Sequence, residues 1–324
     1  MKLTPEVELL KGALDLYSPT GNTAEIGEYL VKWSKEHDMD AEVKNDMAII
    51  NPKAVPLLLL GHMDTVEGRI KVELKADKLY GRGAADAKGP LCAALAAVEK
   101  HKVLREHVCI IAVPDEEGDS KAALHIRDNW QERPCIILEP STWSGITLSY
   151  MGRLGIKCSI ECPPSHPGHL KPFATEELYN TWNNLAKDHI VRIRKIEGND
   201  TNATMNLDIR FRTESPEEIL SKFPESNDVV VMEKTLPYTA KKNTILTRAF
   251  LRAIREMDGT PVFKKKTGTS DMNILGEIWH DAPMLAYGPG DGNLGHTDNE
   301  HISINEYLKG IEVFARALSY IIKN

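Results

Sequence analysis

Four short runs in this chain are apolar until their closing residues: "LLLLGH" (57–62), "VCIIAVP" (108–114), "PCIILEP" (134–140) and "PMLAYGPG" (283–290). A strand with one wet face alternates apolar and polar residues. A strand that is apolar at every position is buried on both faces, which means the interior of a parallel sheet covered by helices. Helical stretches lie between these runs. After Gly89, Pro90 fits a first helical turn, with Leu91, Leu95 and Val98 recurring behind it. Further helices are predicted from Thr4-Pro5, from Thr23 with Ile26, Leu30 and Trp33 on one face, from Ile245 to Met257, and from Tyr307 to Ile321. Strands alternating with helices predict an α/β fold with a mostly parallel sheet.

The texture changes near Gly152. "GRLGIKCSIEC" (152–162) and "ATMNLDIRFR" (203–212) alternate with period two. In the second, Met205, Leu207, Ile209 and Phe211 face one way and Asn206, Asp208, Arg210 and Arg212 the other. That pattern predicts an antiparallel sheet with one solvated face. "ATEELYNTWNNLAKDH" between them reads as helix. The expected organisation is therefore a main α/β domain from 1–152 and 243–324, interrupted by a smaller α+β domain over 153–242.

Composition excludes some functions. A formal net charge of −7 argues against nucleic acid, whose phosphates need a basic field. No apolar run has the length of a membrane span. The start, "MKLTPEVELLKGALDL", is amphipathic and carries acids, so it does not read as a signal peptide, and a cytoplasmic protein is expected. The cysteines number five, an odd count that suggests reduced thiols. Cys158 and Cys162 would sit roughly 13 Å apart along a strand, too far for a disulfide.

Chemistry collects where the apolar runs stop. The first ends at His62 and Asp64, the second at Asp115, Glu116 and Glu117, the third at Glu139, and the fourth leads through a glycine-rich loop to His296. Asp86 precedes a helix in "GRGAADAKG". Ligands of open α/β sheets bind beyond the carboxyl ends of the strands, so parallel strands would deliver these groups to one edge. So many carboxylates repel one another unless cations compensate them. Mixed imidazole and carboxylate donors suit zinc, cobalt or manganese better than calcium or magnesium.

The stretches "GHMDTV", "LYGRGAADAKG", "DEEG", "LEP" and "YGPG…HTDNE" resemble, in order and over essentially the whole chain, the dinuclear-metal aminoacylase and carboxypeptidase family, which includes acetylornithine deacetylase and succinyl-diaminopimelate desuccinylase. The resemblance implies a zinc-peptidase-like catalytic domain with an inserted lid and dimerisation domain, hence a homodimer. It implies two divalent metal ions, zinc and/or cobalt: one on His62, Asp86 and Glu139, the other on Asp86, Glu117 and His296. Asp64 would support His62, and Glu116 would be the general base. His166 or His169, in "CPPSHPGHL", would stabilise the oxyanion, with His166 preferred. Arg210 would hold a substrate carboxylate. Thr269, Ser270 and Asp271, in "GTSDMN", would contact substrate or, equally, cap the next helix.

Within that family, "KTGTSDMN" and "YGPGD…HTDNE" resemble the hydrolases of lysine biosynthesis, although Gly295 stands where aspartate is expected. This implies release of lysine, or ornithine on the way to arginine, from the C-terminal glutamate of a small acidic amino-group carrier protein. N-acetyl or N-succinyl amino acids and dipeptides are the rival substrates. An acidic partner calls for a local basic surface, for which Lys264–Lys266, Lys241, Lys242, Arg192, Arg194 and Lys195 are candidates.

Overall fold

Every residue of "LLLLGH" is buried, and it forms the middle of a sheet in the computed structural model, which describes residues 3–53, 56–166, 168 and 171–323. In chain order the strands are β1 (Ala41–Lys44), β2 (Met47–Ile50), β3 (Leu57–His62), β4 (Glu73–Lys75), β5 (Lys78–Tyr80), β6 (Val108–Val113), β7 (Cys135–Ile137), β8 (Gly145–Tyr150), β9 (Gly152–Glu161), β10 (Ile190–Gly198), β11 (Asn202–Phe211), β12 (Asn227–Thr235), β13 (Tyr238–Thr239), β14 (Val262–Lys266), β15 (Met284–Ala286) and β16 (His301–Ser303). The principal helices are α1 (Pro5–Asp15), α2 (Ala24–Glu36), α3 (Lys88–Lys100), α4 (Lys121–Asn129), α5 (Ala174–Leu185), α6 (Pro216–Leu220), α7 (Ile245–Arg255), α8 (Asp271–Gly276) and α9 (Ile304–Ile322).

The chain divides into two units. The first holds residues 1–148, 239–265 and 274–324; the second holds 149–238 and 266–273. In the first, the sheet runs β1-β2-β6-β3-β7-β15-β8-β13, with β14 also on β8. Its centre is parallel: β6 with β3, β3 with β7, and β7 with β15. The edges turn antiparallel, at β2 on β6 and at β8 on β15. The apolar runs are therefore the parallel centre, and burial on both faces explains their unbroken hydrophobicity. α3, buried from Lys88 to Val98, packs on α1 and α9, and α9 packs on α7. Gly61 interrupts the leucines because a Cβ there would meet the Leu138 Cβ at 2.7 Å. That close approach lets Leu138 N donate to Leu60 O at 2.7 Å and carries the chain toward Glu139.

The second unit is a four-stranded antiparallel sheet, β10-β11-β9-β12, with α5 packed against it. Its core joins Leu154, Ile156 and Cys158 to Met205, Leu207, Ile209 and Phe211, the inward set that the alternation predicts. All five cysteines are free thiols. Among the described residues, no helix is long and apolar enough to cross a membrane.

Candidate metal centre

The registers put the ends of the central strands side by side. His62 closes β3 opposite Val113, which closes β6, and Leu60 of β3 pairs with Ile137, which closes β7. From there Asp64, Glu116, Glu117 and Glu139 follow within four residues. Asp86 arrives from the loop before α3, after which its peptide bond to Ala87 is cis. His296 arrives from the loop after β15, with a positive φ of 62°.

Among the described residues three sets of these side chains come close enough to hold a cation: a first triad of His62, Asp86 and Glu139 and a second of Asp86, Glu117 and His296, which share Asp86, and a further set of His62, Glu116 and Glu117. The His62 Nε2 lies 3.5 Å from Asp86 Oδ1 and 3.7 Å from Glu139 Oε1. The His296 Nε2 lies 3.7 Å from Asp86 Oδ2 and 2.7 Å from Glu117 Oε1. Asp86 thus presents one oxygen to each imidazole. Glu116 Oε2 lies 4.0 Å from His62 Nε2, beside the first triad.

The protonation pattern fits cations. The His62 Nδ1 lies 2.9 Å from the Asp64 carbonyl oxygen, an acceptor, so Nδ1 carries the proton in the neutral ring. That leaves the Nε2 lone pair toward the carboxylates, and Nε2 is buried with no hydrogen-bond partner. A buried polar atom without a partner is costly, and a cation among these carboxylates would satisfy it. Burial pulls the His62 pKa down, but Asp64, Asp86 and the Glu116 charge outweigh it and hold the ring well above its usual range. Hydrogen bonding to Glu117 raises His296 likewise. A field that binds a proton this firmly also draws a divalent cation.

Asp64, fully buried, has a broader task than holding a ring. Its Oδ1 accepts from the Glu116 amide at 3.2 Å; its Oδ2 accepts from the Glu117 amide at 3.1 Å and from Thr20 Oγ1 at 2.7 Å. Burial raises its pKa, but His62, Thr20 and the Glu117 amide reverse that and hold it low. One carboxylate therefore sets the turn that bears both Glu116 and Glu117. Asp115 does not enter the cluster: its carboxylate turns back to accept from the Ala122 amide at 3.2 Å, at the start of α4.

Three buried supports had no assigned role in the sequence. Glu300 and Arg82 are paired at 2.9 Å, and Lys88 donates to Leu16 O at 2.6 Å and Ala13 O at 3.1 Å. Burial pushes the Lys88 pKa down to about 8. Arg82 and Lys88 lie inside the quoted stretch "GRGAADAKG" and Glu300 inside "HTDNE", but no side-chain pattern there marks their work.

The other predicted residues belong to the second unit. His166 is exposed, and its Nδ1 accepts from the Gly168 amide at 3.1 Å; His169 lies outside the described residues. Arg210 pairs with Asp208 at 2.9 Å, and Asp208 also binds Arg153 at 2.9 Å. The Arg210 Nη1 is buried without a partner. Ser270 and Asp271 are buried, Thr269 is half-buried, and Ser270 Oγ accepts from the Met272 amide at 3.2 Å, so it does cap α8.

The model of peptidase family M20/M25/M40 matches residues 58–320. The chain belongs to peptidase family M20/M25/M40. It is thus a hydrolase of the metallopeptidase type. A putative LysW-lysine/LysW-ornithine hydrolase of Pyrococcus furiosus is 33% identical over 98% of this chain and 98% of its own length. The LysW-lysine hydrolase of Deinococcus radiodurans is 33% identical over 97% of this chain and 96% of its own. The LysW-lysine/LysW-ornithine hydrolase of Saccharolobus solfataricus is 31% identical, covering 96% and 94%. Among solved structures, aminopeptidase PepT from Bacillus cereus superposes with a TM-score of 0.80 at 18% identity, covering 98% of each chain. The M20 family metallo-carboxypeptidase Sso-CP2 from Sulfolobus solfataricus gives 0.76 at 17%, covering 99% of this chain and 100% of that one. These two likenesses establish the fold.

Proposed function

We propose that this chain hydrolyses the bond that joins lysine, or ornithine, to the C-terminal glutamate of the carrier protein LysW. The observation that carries this reading is the shared Asp86, with one oxygen toward each imidazole and Glu116 beside it, in a chain whose full-length relatives bear that activity in their names. His62, Asp86 and Glu139 would hold one cation and Asp86, Glu117 and His296 the other; donor type admits zinc, cobalt or manganese, and zinc and/or cobalt is the choice the family resemblance implies. When bound, the cations supply Lewis acidity and lower the pKa of water. Glu116, held by Asp64 through its amide, takes a proton from the attacking water and passes it to the leaving amine. Of the second unit's residues, His166 is the proposed oxyanion group and Arg210, Thr269 and Asp271 the proposed substrate contacts, while Ser270 caps α8.

An acidic carrier needs basic docking points. Within the first unit, Lys242 stacks over Phe263 at 4.5 Å and Lys309 over Trp143 at 4.7 Å, and Lys264 lies on β14. A homodimer is also proposed, through the second unit. Its edge strands expose Ile190, Ile193 and Ile196 on β10, and Val230, Val231 and Met232 on β12. Light scattering should give twice the chain mass; a monomer at working concentration rejects the dimer. The free thiols suit a reducing cytoplasm.

The test sets carrier-linked lysine and ornithine beside acetyl-lysine, with wild type and Glu116→Gln. Wild type should prefer the carrier-linked amines. Glu116→Gln should keep its metal and lose about 10²–10⁴-fold in turnover, the usual worth of a general base. Preference for acetyl-lysine would reject the substrate, and wild-type turnover in Glu116→Gln would reject the base.

A further inference from the structure

Asp86 and His296 reach the second triad from two loops, not from strand ends. Something must fix both loops if the triad is to hold a cation tightly. One loop begins where the other ends: β5 precedes the Gly81–Asp86 loop, β16 follows the His296 loop, and the two strands pair with His301 opposite Tyr80. Glu300, one residue before that strand, turns inward and is 1% exposed.

Its two oxygens divide the work. Oε1 accepts from the amides of Ala85 at 3.0 Å and Asp86 at 3.1 Å. Oε2 accepts from Arg82 Nη1 at 2.9 Å. The same Nη1 donates to the carbonyl oxygen of Thr297, next to His296, at 3.0 Å, and Arg82 Nε donates to Gly68 O at 2.9 Å. One buried ion pair therefore ties the backbone of the shared ligand to the backbone beside the exposed one. The first triad takes only Asp86 from these tied loops, since His62 ends β3 and Glu139 lies two residues beyond β7, whereas the second takes both Asp86 and His296.

We propose that Glu300 and Arg82 are positioning residues that hold Asp86 and His296 in register, so that losing either loosens the second cation far more than the first. This rests on the two-cation reading of the site. Neither side chain reaches the reacting atoms; each acts through the backbone of a ligand or its neighbour. An ion pair suits the task because a carboxylate can accept from several donors on one side while a guanidinium donates to several acceptors on the other.

The test uses the full chain, stripped with a chelator and titrated with Zn²⁺ by calorimetry, as wild type, Glu300→Ala and Arg82→Lys. Lysine keeps the charge but cannot span the three acceptors that arginine reaches. Wild type should bind two ions per chain. Both variants should lose about 10–100-fold at the second site, the range typical for groups that orient metal ligands, and distinctly less at the first, which takes one ligand rather than two from the tied loops. Melting of the chelated proteins gives the control. Equal weakening of both sites together with a lowered melting temperature would overturn the proposal in favour of a general structural role. Should Glu300→Ala fail to fold, Arg82→Lys decides alone, and two unchanged affinities there overturn the proposal. Fewer than two ions on the wild type would overturn the metal reading and this proposal with it.

Discussion

Asp64→Asn isolates what one buried carboxylate does for the site. The native side chain accepts from the Glu116 amide on one oxygen and from the Glu117 amide and the Thr20 hydroxyl on the other. A carboxamide has only one oxygen. In either orientation its NH₂ faces a backbone N–H, that of Glu116 or that of Glu117. The Thr20 hydroxyl can rotate to accept, but an amide N–H cannot. Asp64 is 0% exposed, so water has no access to replace the lost acceptor. One buried unsatisfied donor costs about 1–3 kcal/mol. Denaturant unfolding of the chelated variant should show that loss. The His62 ring should stay in place, because its Nδ1 partner is the Asp64 carbonyl, which the substitution retains. Turnover and binding of the second cation should both suffer, since the Glu116–Glu117 turn that shifts carries the proposed base and a candidate ligand. Misplacing a reacting group by about 1 Å costs on the order of 10²-fold. The assay is steady-state hydrolysis at saturating metal. A variant that unfolds at the wild-type midpoint and turns over at the wild-type rate would refute this account of Asp64.

Three further outcomes follow from single contacts. Lys88, with its pKa lowered from 10.5 to about 8 by burial, binds its proton less firmly folded than unfolded, so wild type should gain stability over Lys88→Met as pH rises from 8 toward 10.5, by on the order of 3 kcal/mol at full deprotonation; parallel unfolding curves for the two proteins across that window would contradict it. A Cβ at Gly295 would stand 2.6 Å from Asp86 Oδ2, so Gly295→Asp, despite restoring the residue expected at that position, should weaken zinc binding at least about tenfold in calorimetry, by analogy with other groups that place ligands; an unchanged isotherm would mean Asp86 has room to move. Charge reversal at Lys264, Lys265 and Lys266 should raise KM for carrier-linked lysine at low salt and converge on wild type at high salt, whereas an equal KM at low salt removes these residues from the docking surface.

The meeting of the candidate ligands at one edge was legible because a parallel sheet leaves strand ends little freedom. A fully apolar run must be a central strand, central parallel strands end on one edge, and so His62, Glu117 and Glu139 had to meet however far apart they lie in the chain. Asp86 and His296 were also placed at that edge from the residues, but which groups each would join came only from the resemblance, since loops carry no such constraint and "GRGAADAKG" alone does not say where its aspartate points. Asp115 shows the limit from the other side. It follows its strand as directly as Glu116 does, yet its carboxylate returns to the start of α4, a choice made by backbone direction at one turn. Glu300, Arg82 and Thr20 went unread for a related reason. Their work is done on backbone amides and carbonyls, which every residue possesses, so no pattern of side-chain types announces it. The chemistry of this site is written in residue types, but its precision is held by hydrogen bonds to the main chain, and those appear only when the fold brings the loops together.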